Sequence, residues 1–253
     1  MMLSHDLLKA ATAFYGVGCV TALLLPQHRQ VVVWLLPALG FNAVAVAWRY
    51  QSAWPMLPMY LAPSALPLAL GVTALLAGRR DPSGRVRAVI LALALIAACT
   101  SVLFPKDYYL PFVKSRAAAA HLFLVFGVVG RSCFLASAAW ALHGLFTVNS
   151  GKSNQPAPDH FAFRWAVWGF GFWTLSMFAG EWWSYLGWGT PVVWDDPAIT
   201  SVMATWFYYV GYLHLHLTGT WTPRARSIYA ASGIWVVLFL NCLPEWGPFR
   251  CPF

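Results

Sequence analysis

Residues 118–146 read AAAHLFLVFGVVGRSCFLASAAWALHGLF. A membrane-crossing helix needs about 20 predominantly apolar residues, and this stretch exceeds that length with a single charged side chain, Arg131. The whole chain has the same character, because 60% of its 253 residues are hydrophobic, 17% are aromatic and only 9% are charged. Soluble domains carry about 25% charged residues. The sequence therefore predicts an integral membrane protein that lies in a lipid bilayer.

Seven further apolar stretches accompany this one, and the connections between them are short. They predict an all-α fold, a polytopic bundle of about eight transmembrane helices that forms a single membrane domain over residues 1–253. The predicted spans lie near 7–26, 31–48, 59–78, 88–104, 118–146, 161–183, 199–218 and 227–244.

Basic residues between the predicted spans set the expected orientation, since Lys and Arg are more frequent in cytoplasmic loops. Nine fall on one side and five on the other. Both termini and the loop after the sixth span then lie outside, in the periplasm if the cell is a Gram-negative bacterium. The expected location is a bacterial inner (plasma) membrane, which the chain crosses several times. The formal net charge of +8 needs no nucleic-acid partner. The inner group is Arg29, Arg79, Arg80, Arg85, Arg87, Lys152, Arg164, Arg224 and Arg226, and the outer group is Arg49, Lys106, Lys114, Arg116 and Arg250.

The five cysteines form neither CxxC nor CxxCH, so the chain carries no thioredoxin-like motif and attaches no c-type haem to itself. Cys242 and Cys251 follow the last span on the outer side, where an oxidising compartment would permit a disulfide; the sequence leaves this pairing open. Phosphate-binding GxxxxGK[ST] and zinc-binding HExxH motifs are absent. No catalytic residue is assigned, and whether the chain has enzymatic activity of its own stays open.

Histidines within spans are costly enough to count as functional hypotheses. His121 and His143 begin and end the fifth span, and their spacing puts them on one helix face about 33 Å apart. His143 and His214, on facing helices, could hold a haem as a pair of axial ligands. His214 and His216 point about 200° apart, so only one of them can face His143. The alternative for each is a hydrated side chain at the headgroup level.

Arg131 lies near the middle of the fifth span, where a lone guanidinium usually has an anionic partner or a water-filled cavity. A haem propionate is one candidate partner. A cluster of carbonyl groups or a lipid phosphate is the alternative.

Four tryptophans lie within thirteen residues at the outer end of the sixth span. Aromatic belts are common at membrane interfaces, and Trp48, Trp54, Trp221 and Trp235 are interpreted in that way. The density from 182 to 194 exceeds what a belt requires and indicates an aromatic platform suited to a porphyrin, in a loop over 182–198. Asp195 could contact the ligand or cap the seventh helix. The four residues are Trp182, Trp183, Trp188 and Trp194.

This pattern resembles the haem-handling cytochrome c assembly proteins of the CcsA/ResC type, relatives of CcmC and CcmF. Their signature is an outer loop reading approximately WxxxxWGxxWxWD, followed by a span that contains YLH. His121 resembles the outer-face histidine that opens an earlier span in the family. The residues that match the loop and the YLH are Trp183, Trp188, Gly189, Trp194, Asp195, Tyr212, Leu213 and His214.

The resemblance implies that b-type, non-covalent haem is received within the membrane and presented at the loop for attachment to apocytochrome c. It also implies a partner assembly protein of the membrane that has a large outer domain. Two outer histidines ligate the iron in that family, whereas no histidine follows His216 here and Val192 replaces one signature tryptophan. A second interpretation therefore stays open, a repurposed member that serves as a haem-binding electron-transfer or scaffold subunit of a larger membrane complex.

Overall fold

The computed structural model describes residues 2–25, 28–57, 61–81, 83–103, 116–147, 158–194 and 197–242, and the regular structure within these ranges is helical. This confirms the predicted all-α fold. Helix α8 continues directly into a π-helical segment, Val237–Cys242. The eight α-helices of the described residues are α1 (Met2–Leu24), α2 (His28–Ala53), α3 (Leu61–Gly78), α4 (Arg85–Leu103), α5 (Ala118–Thr147), α6 (Pro158–Trp188), α7 (Pro197–Leu217) and α8 (Pro223–Val236).

Six of these helices, α1 to α5 and α8 with its π-helical extension, are long and apolar enough to cross a membrane. Helices α6 and α7 have 31 and 21 residues, so they also reach the required length. Helix α6 is rich in tryptophan and α7 in tyrosine and histidine. The polar groups of these side chains lower the average hydropathy of a helix although their rings suit a lipid boundary. Membrane crossing by α6 and α7 therefore stays a prediction.

Helices α3 and α4 are joined by a hydrogen bond that a proline makes available. Pro67 lies inside α3 and has no N–H to donate to the carbonyl of Pro63, one turn earlier. The hydroxyl of Ser101, on α4, donates to that carbonyl at 2.7 Å. The polar group that Pro67 leaves without its usual helical partner is thus satisfied by the neighbouring helix.

The most extensive helix pairing is between α5 and α6, and small residues make it possible. A Cβ added to Gly130 would lie 3.2 Å from the backbone nitrogen of Trp173, so the two backbones approach closely there. Such approaches are typical of helix contacts in membranes. The hydroxyl of Ser137 donates to the carbonyl of Ala162 at 2.7 Å, and that of Ser176 to the carbonyl of Phe123 at 2.8 Å. These bonds fix the antiparallel register of α5 and α6.

This register brings the first turns of α5 beside the last turns of α6. We call this end of the bundle, which holds His121 and Trp183, the tryptophan end, and the opposite end, which holds Asp159, the Asp159 end. The sixth span was predicted to stop at 183, but α6 continues to Trp188. It ends at Gly189, which has φ +74 and donates its N–H to the carbonyl of Tyr185 at 2.9 Å. A left-handed residue of this kind is a usual helix stop, and glycine adopts it without strain.

Candidate functional site

His121 lies near the start of α5 and contacts the C-terminal end of α2. Its Nδ1 is 3.1 Å from the phenol oxygen of Tyr50. The imidazole meets the Tyr50 ring edge-on at a centroid distance of 5.6 Å, and the Trp54 ring lies 5.8 Å away. The second ring nitrogen, Nε2, is buried and has no hydrogen-bond partner among the residues that the structure describes. The imidazole is thus held by Tyr50 on its Nδ1 side, and its Nε2 has no partner within the described part of the chain.

The tryptophans of the predicted loop are mostly helical. Trp183 packs against Phe123 at 6.1 Å and meets Trp188 edge-on at 5.9 Å between centroids. Trp188 is 56% exposed and Trp194 is 71% exposed. Trp182 is exposed as well, so several indole surfaces are available at the tryptophan end.

The turn after α6 is tied back to the helix by side chains. The hydroxyl of Ser184 donates to the carbonyl of Thr190 at 2.9 Å, and the hydroxyl of Thr190 donates to the carbonyl of Val192 at 3.1 Å. These two bonds fix the path of the chain from Gly189 towards Trp194. Asp195 lies outside the described residues, as does Cys251, so the role of Asp195 and the disulfide of Cys242 with Cys251 stay predictions.

The side chain of His121 and the indole of Trp183 lie on different sides of α5. Trp183 packs on Phe123, and residues two apart on a helix project about 200° from each other. His121 therefore faces α2, whereas the indole of Trp183 lies on the side of α6. The structure brings these two predicted site residues to one end of the bundle, on two sides of the same helix.

Arg131 is buried near the middle of α5 and lies over an aromatic ring. Its Cζ is 5.9 Å from the centroid of Trp173, within the range of a cation–π contact. Trp173 is itself buried, and its indole N–H donates to the carbonyl of Val202 at 3.2 Å. An aromatic ring was not among the partners that the sequence suggested for Arg131. The contact of Arg131 with a haem propionate stays a prediction.

His214 and His216 lie near the end of α7 and face in different directions, as their spacing requires. His214 is exposed, and its Nδ1 is 2.9 Å from the carbonyl oxygen of Val210 in its own helix. His216 faces α6, where its Nε2 is 3.6 Å from Oδ2 of Asp159 and its ring stacks on Phe163 at 4.3 Å. The histidine turned towards the neighbouring helices is therefore His216, which the predicted pair left out.

Asp159 links three helices at its end of the bundle. Its Oδ2 accepts from Arg226 of α8 at 2.9 Å and approaches His216 of α7. His143 lies at the same end, near the end of α5, with its ring 6.1 Å from that of Trp140. The pairing of His143 with His214 stays a prediction.

Two residues beside His121, Tyr50 and Trp54, were not assigned to the site from the sequence. Trp54 was interpreted as an interfacial belt residue, and its side chain is 63% exposed, as belt residues commonly are. Tyr50 contacts a histidine 71 positions later in the chain. No local periodicity signals a contact of that range, because it depends on how α2 and α5 pack.

The sequence model of the family described as "Cytochrome C assembly protein" matches residues 12–246. The match covers most of the chain, which therefore belongs to the cytochrome c assembly protein family. With its apolar helices, the chain is a multi-pass membrane protein.

Among curated relatives, the "Cytochrome c biogenesis protein CcsA" of Prochlorococcus marinus is 35% identical over 80 residues, which are 32% of this chain and 25% of that protein. The protein of the same name from Synechocystis sp. is 37% identical over 79 residues, 31% of this chain and 23% of that protein. These alignments span about a quarter of each relative.

A solved structure of "Cytochrome c Heme Lyase CcmF" superposes with a TM-score of 0.70 and 19% identity, over 96% of this chain and 47% of that chain. At this identity the likeness concerns the fold alone. It covers nearly all of the present helices and about half of the longer protein.

Proposed function

We propose that this protein binds haem within the membrane and presents it at the tryptophan end of the bundle during cytochrome c assembly. The observation that carries the proposal is the buried Nε2 of His121, which has no hydrogen-bond partner among the described residues and lies at the same end as the exposed indoles. Membership in the cytochrome c assembly family supports the same reading. The proposed haem is b-type and non-covalent, as the resemblance implies, and the sequence has no CxxCH motif for c-type attachment to this chain.

An imidazole nitrogen that is buried without a partner is unfavourable, since a buried polar group costs about 1–3 kcal/mol when it makes no hydrogen bond. A neutral histidine is a common ligand of haem iron. Ligation through Nε2 of His121 would satisfy this nitrogen while Nδ1 keeps its contact with Tyr50. The donor chemistry of His121 therefore fits the iron of a porphyrin.

The exposed indoles supply apolar surface for a planar ligand. We infer that Trp183, Trp188 and Trp194 contact the porphyrin, together with Asp195. Flat aromatic faces at a lipid boundary pack well on a porphyrin, and the turn that carries Trp194 is fixed by hydrogen bonds of Ser184 and Thr190. Arg131 is proposed to meet a propionate deeper in the bundle, where the Trp173 ring already compensates part of its charge.

His143 and His214 are proposed as ligands of an inner haem position at the Asp159 end. Haem would then pass from there to the tryptophan end, along α5, which carries a histidine near each of its ends. The alternative, a fixed electron-transfer or scaffold subunit, would hold a haem permanently between these two histidines or would carry no haem. Membership in the cytochrome c assembly family supports the assembly role over that alternative.

The proposal also includes the orientation of the protein in its membrane and the partners it meets there. Arg79, Arg80 and Arg85 lie in or beside the turn between α3 and α4, and such clusters favour the cytoplasmic side. We therefore propose a bacterial inner membrane with the tryptophan end and both termini outside. The proposed partners are apocytochrome c and a second assembly protein of the membrane.

The test is haem binding by the purified protein, followed by its optical spectrum. His121→Ala should weaken haem binding by roughly ten-fold or more, since even the loss of an outer-shell partner of a metal ligand costs about 10–100-fold. The matched control is His160→Ala, because His160 is exposed at the Asp159 end. The proposal fails if the His121→Ala variant binds haem as the wild type does. If haem binding is lost only in the His143→Ala and His214→Ala variants, the result would favour the fixed subunit.

The indole surface has its own test. Trp188→Ala should weaken haem binding, whereas Trp168→Ala should not, because both side chains are similarly exposed on α6, 56% and 61%, but they lie about 30 Å apart along the helix. Equal effects of the two substitutions would show that the indoles act only as membrane anchors.

A further inference from the structure

The C-terminal end of α2 encloses one side of His121 with two aromatic residues. Tyr50 and Trp54 lie 5.7 Å apart, and each ring is within 6 Å of the imidazole. The phenol oxygen of Tyr50 is 3.1 Å from Nδ1 of His121, and this is a polar contact between α2 and α5. The tryptophans of the candidate site belong to α6, whereas Tyr50 belongs to α2. The contact with His121 therefore adds residues of α2 to the candidate site.

The position of one proton decides whether His121 can bind iron through Nε2. A neutral imidazole carries its proton on Nδ1 or on Nε2, and a nitrogen that bears the proton cannot ligate a metal. If the phenol of Tyr50 donates to Nδ1, the proton of the imidazole is on Nε2. If Nδ1–H donates to the phenol oxygen, Nε2 presents its lone pair. The phenol can take either role, so the contact accommodates both tautomers.

We propose that Tyr50 is a positioning residue for the haem ligand His121. In the bound form, Nδ1–H of His121 donates to the phenol oxygen of Tyr50, which fixes the tautomer with a free lone pair on Nε2 and orients the ring. Partners of this kind also raise the basicity of a ligating histidine. Trp54 packs on both rings and keeps them in place. This inference rests on the proposed role of His121.

The experiment uses Tyr50→Phe in the full chain, because phenylalanine keeps the ring and removes only the hydroxyl. Titration with free haem in detergent should give about ten-fold weaker binding. The midpoint potential of the bound haem should shift to more positive values, since a less basic ligand stabilises ferric iron less. Thermal unfolding of the haem-free variant should stay close to that of the wild type, which separates positioning from a structural role.

Two comparisons make the test specific. Tyr185→Phe is the matched control, because Tyr185 is an exposed tyrosine at the tryptophan end. In a His121→Ala background, Tyr50→Phe should cause no additional loss, since a residue that acts through another shows no independent effect once that residue is removed.

The outcomes separate this inference from the proposed function. If His121→Ala abolishes high-affinity haem binding but Tyr50→Phe changes neither affinity nor potential, the inference is overturned and the proposed function stands. An equal loss from Tyr50→Phe with and without His121 would also overturn it. If His121→Ala has no effect, the proposed function itself fails.

Discussion

Gly169 lies where α5 and α6 pack most tightly, and its replacement by alanine should destabilise the bundle. The added Cβ would lie 2.5 Å from Cδ1 and 2.8 Å from Cε1 of Phe134, and 3.2 Å from Cβ of Cys133. Carbon atoms in contact are normally about 3.5–4.0 Å apart. The ring of Phe134 would therefore have to move by about 1 Å to accept the methyl group.

The surroundings oppose that movement. Phe134 is fully buried, and its ring stacks on Tyr209 with centroids 3.5 Å apart. Trp173 closes another side at 6.1 Å. Overpacking of a filled core costs about 1–3 kcal/mol. Alanine recovers up to about 1 kcal/mol of helix propensity relative to glycine, so the net loss in the free energy of unfolding should be up to about 2 kcal/mol.

Gly171 provides a matched control on the same helix. A Cβ added there meets nothing within 4 Å, and the residue is exposed. Gly171→Ala gains the same helix propensity without a clash. Because the propensity terms cancel, the difference between the two variants measures the packing cost alone, about 1–3 kcal/mol.

Unfolding of both variants in one detergent, followed by tryptophan fluorescence, measures this difference. Gly169→Ala should unfold at lower denaturant concentration than the wild type, and Gly171→Ala at the same or a higher concentration. Equal stabilities of the two variants would refute the close packing of α5 and α6 at Gly169.

Two further predictions concern buried polar contacts and use the same assay. Asp159→Asn should lower the free energy of unfolding by about 2–3 kcal/mol, because it leaves the mostly buried guanidinium of Arg226 without its charged partner. Asp6→Asn, at an exposed ion pair, is the control and should change stability by less than about 1 kcal/mol. Similar losses for the two variants would contradict this. Thr205→Val should cost about 1–3 kcal/mol, since the buried amide of Asn241 loses the hydroxyl that accepts its N–H at 2.7 Å. Adding Asn241→Leu should recover most of that loss, and a double variant as unstable as the single one would argue against the contact.

The positions of the helices could be predicted because apolar length is a strong signal in a membrane chain. The fifth span was predicted at 118–146 and is observed as Ala118–Thr147. The end of α6 was placed too early because the run of tryptophans was interpreted as a loop. Indole side chains are compatible with helical backbone, and the physical stop is the left-handed Gly189.

The choice between His214 and His216 shows a different limit. Helical geometry requires the two side chains to point apart, so their divergence could be predicted. Which of them turns inward depends on α6, where Asp159 and Phe163 meet His216. Neither partner is near α7 in sequence, so the direction of the pair follows only from the packed helices.

Trp54 and Trp188 illustrate why residue type and exposure do not identify a site at a membrane interface. Trp54 is 63% exposed and Trp188 is 56% exposed, and both suit an aromatic belt. They differ in their neighbours, because Trp54 packs on His121 and Tyr50 whereas Trp188 packs on Trp183. Under the proposed function, a ligating nitrogen matters more to an iron porphyrin than one further apolar wall. The junction of α2 and α5 should then govern haem affinity at least as strongly as the tryptophans of α6.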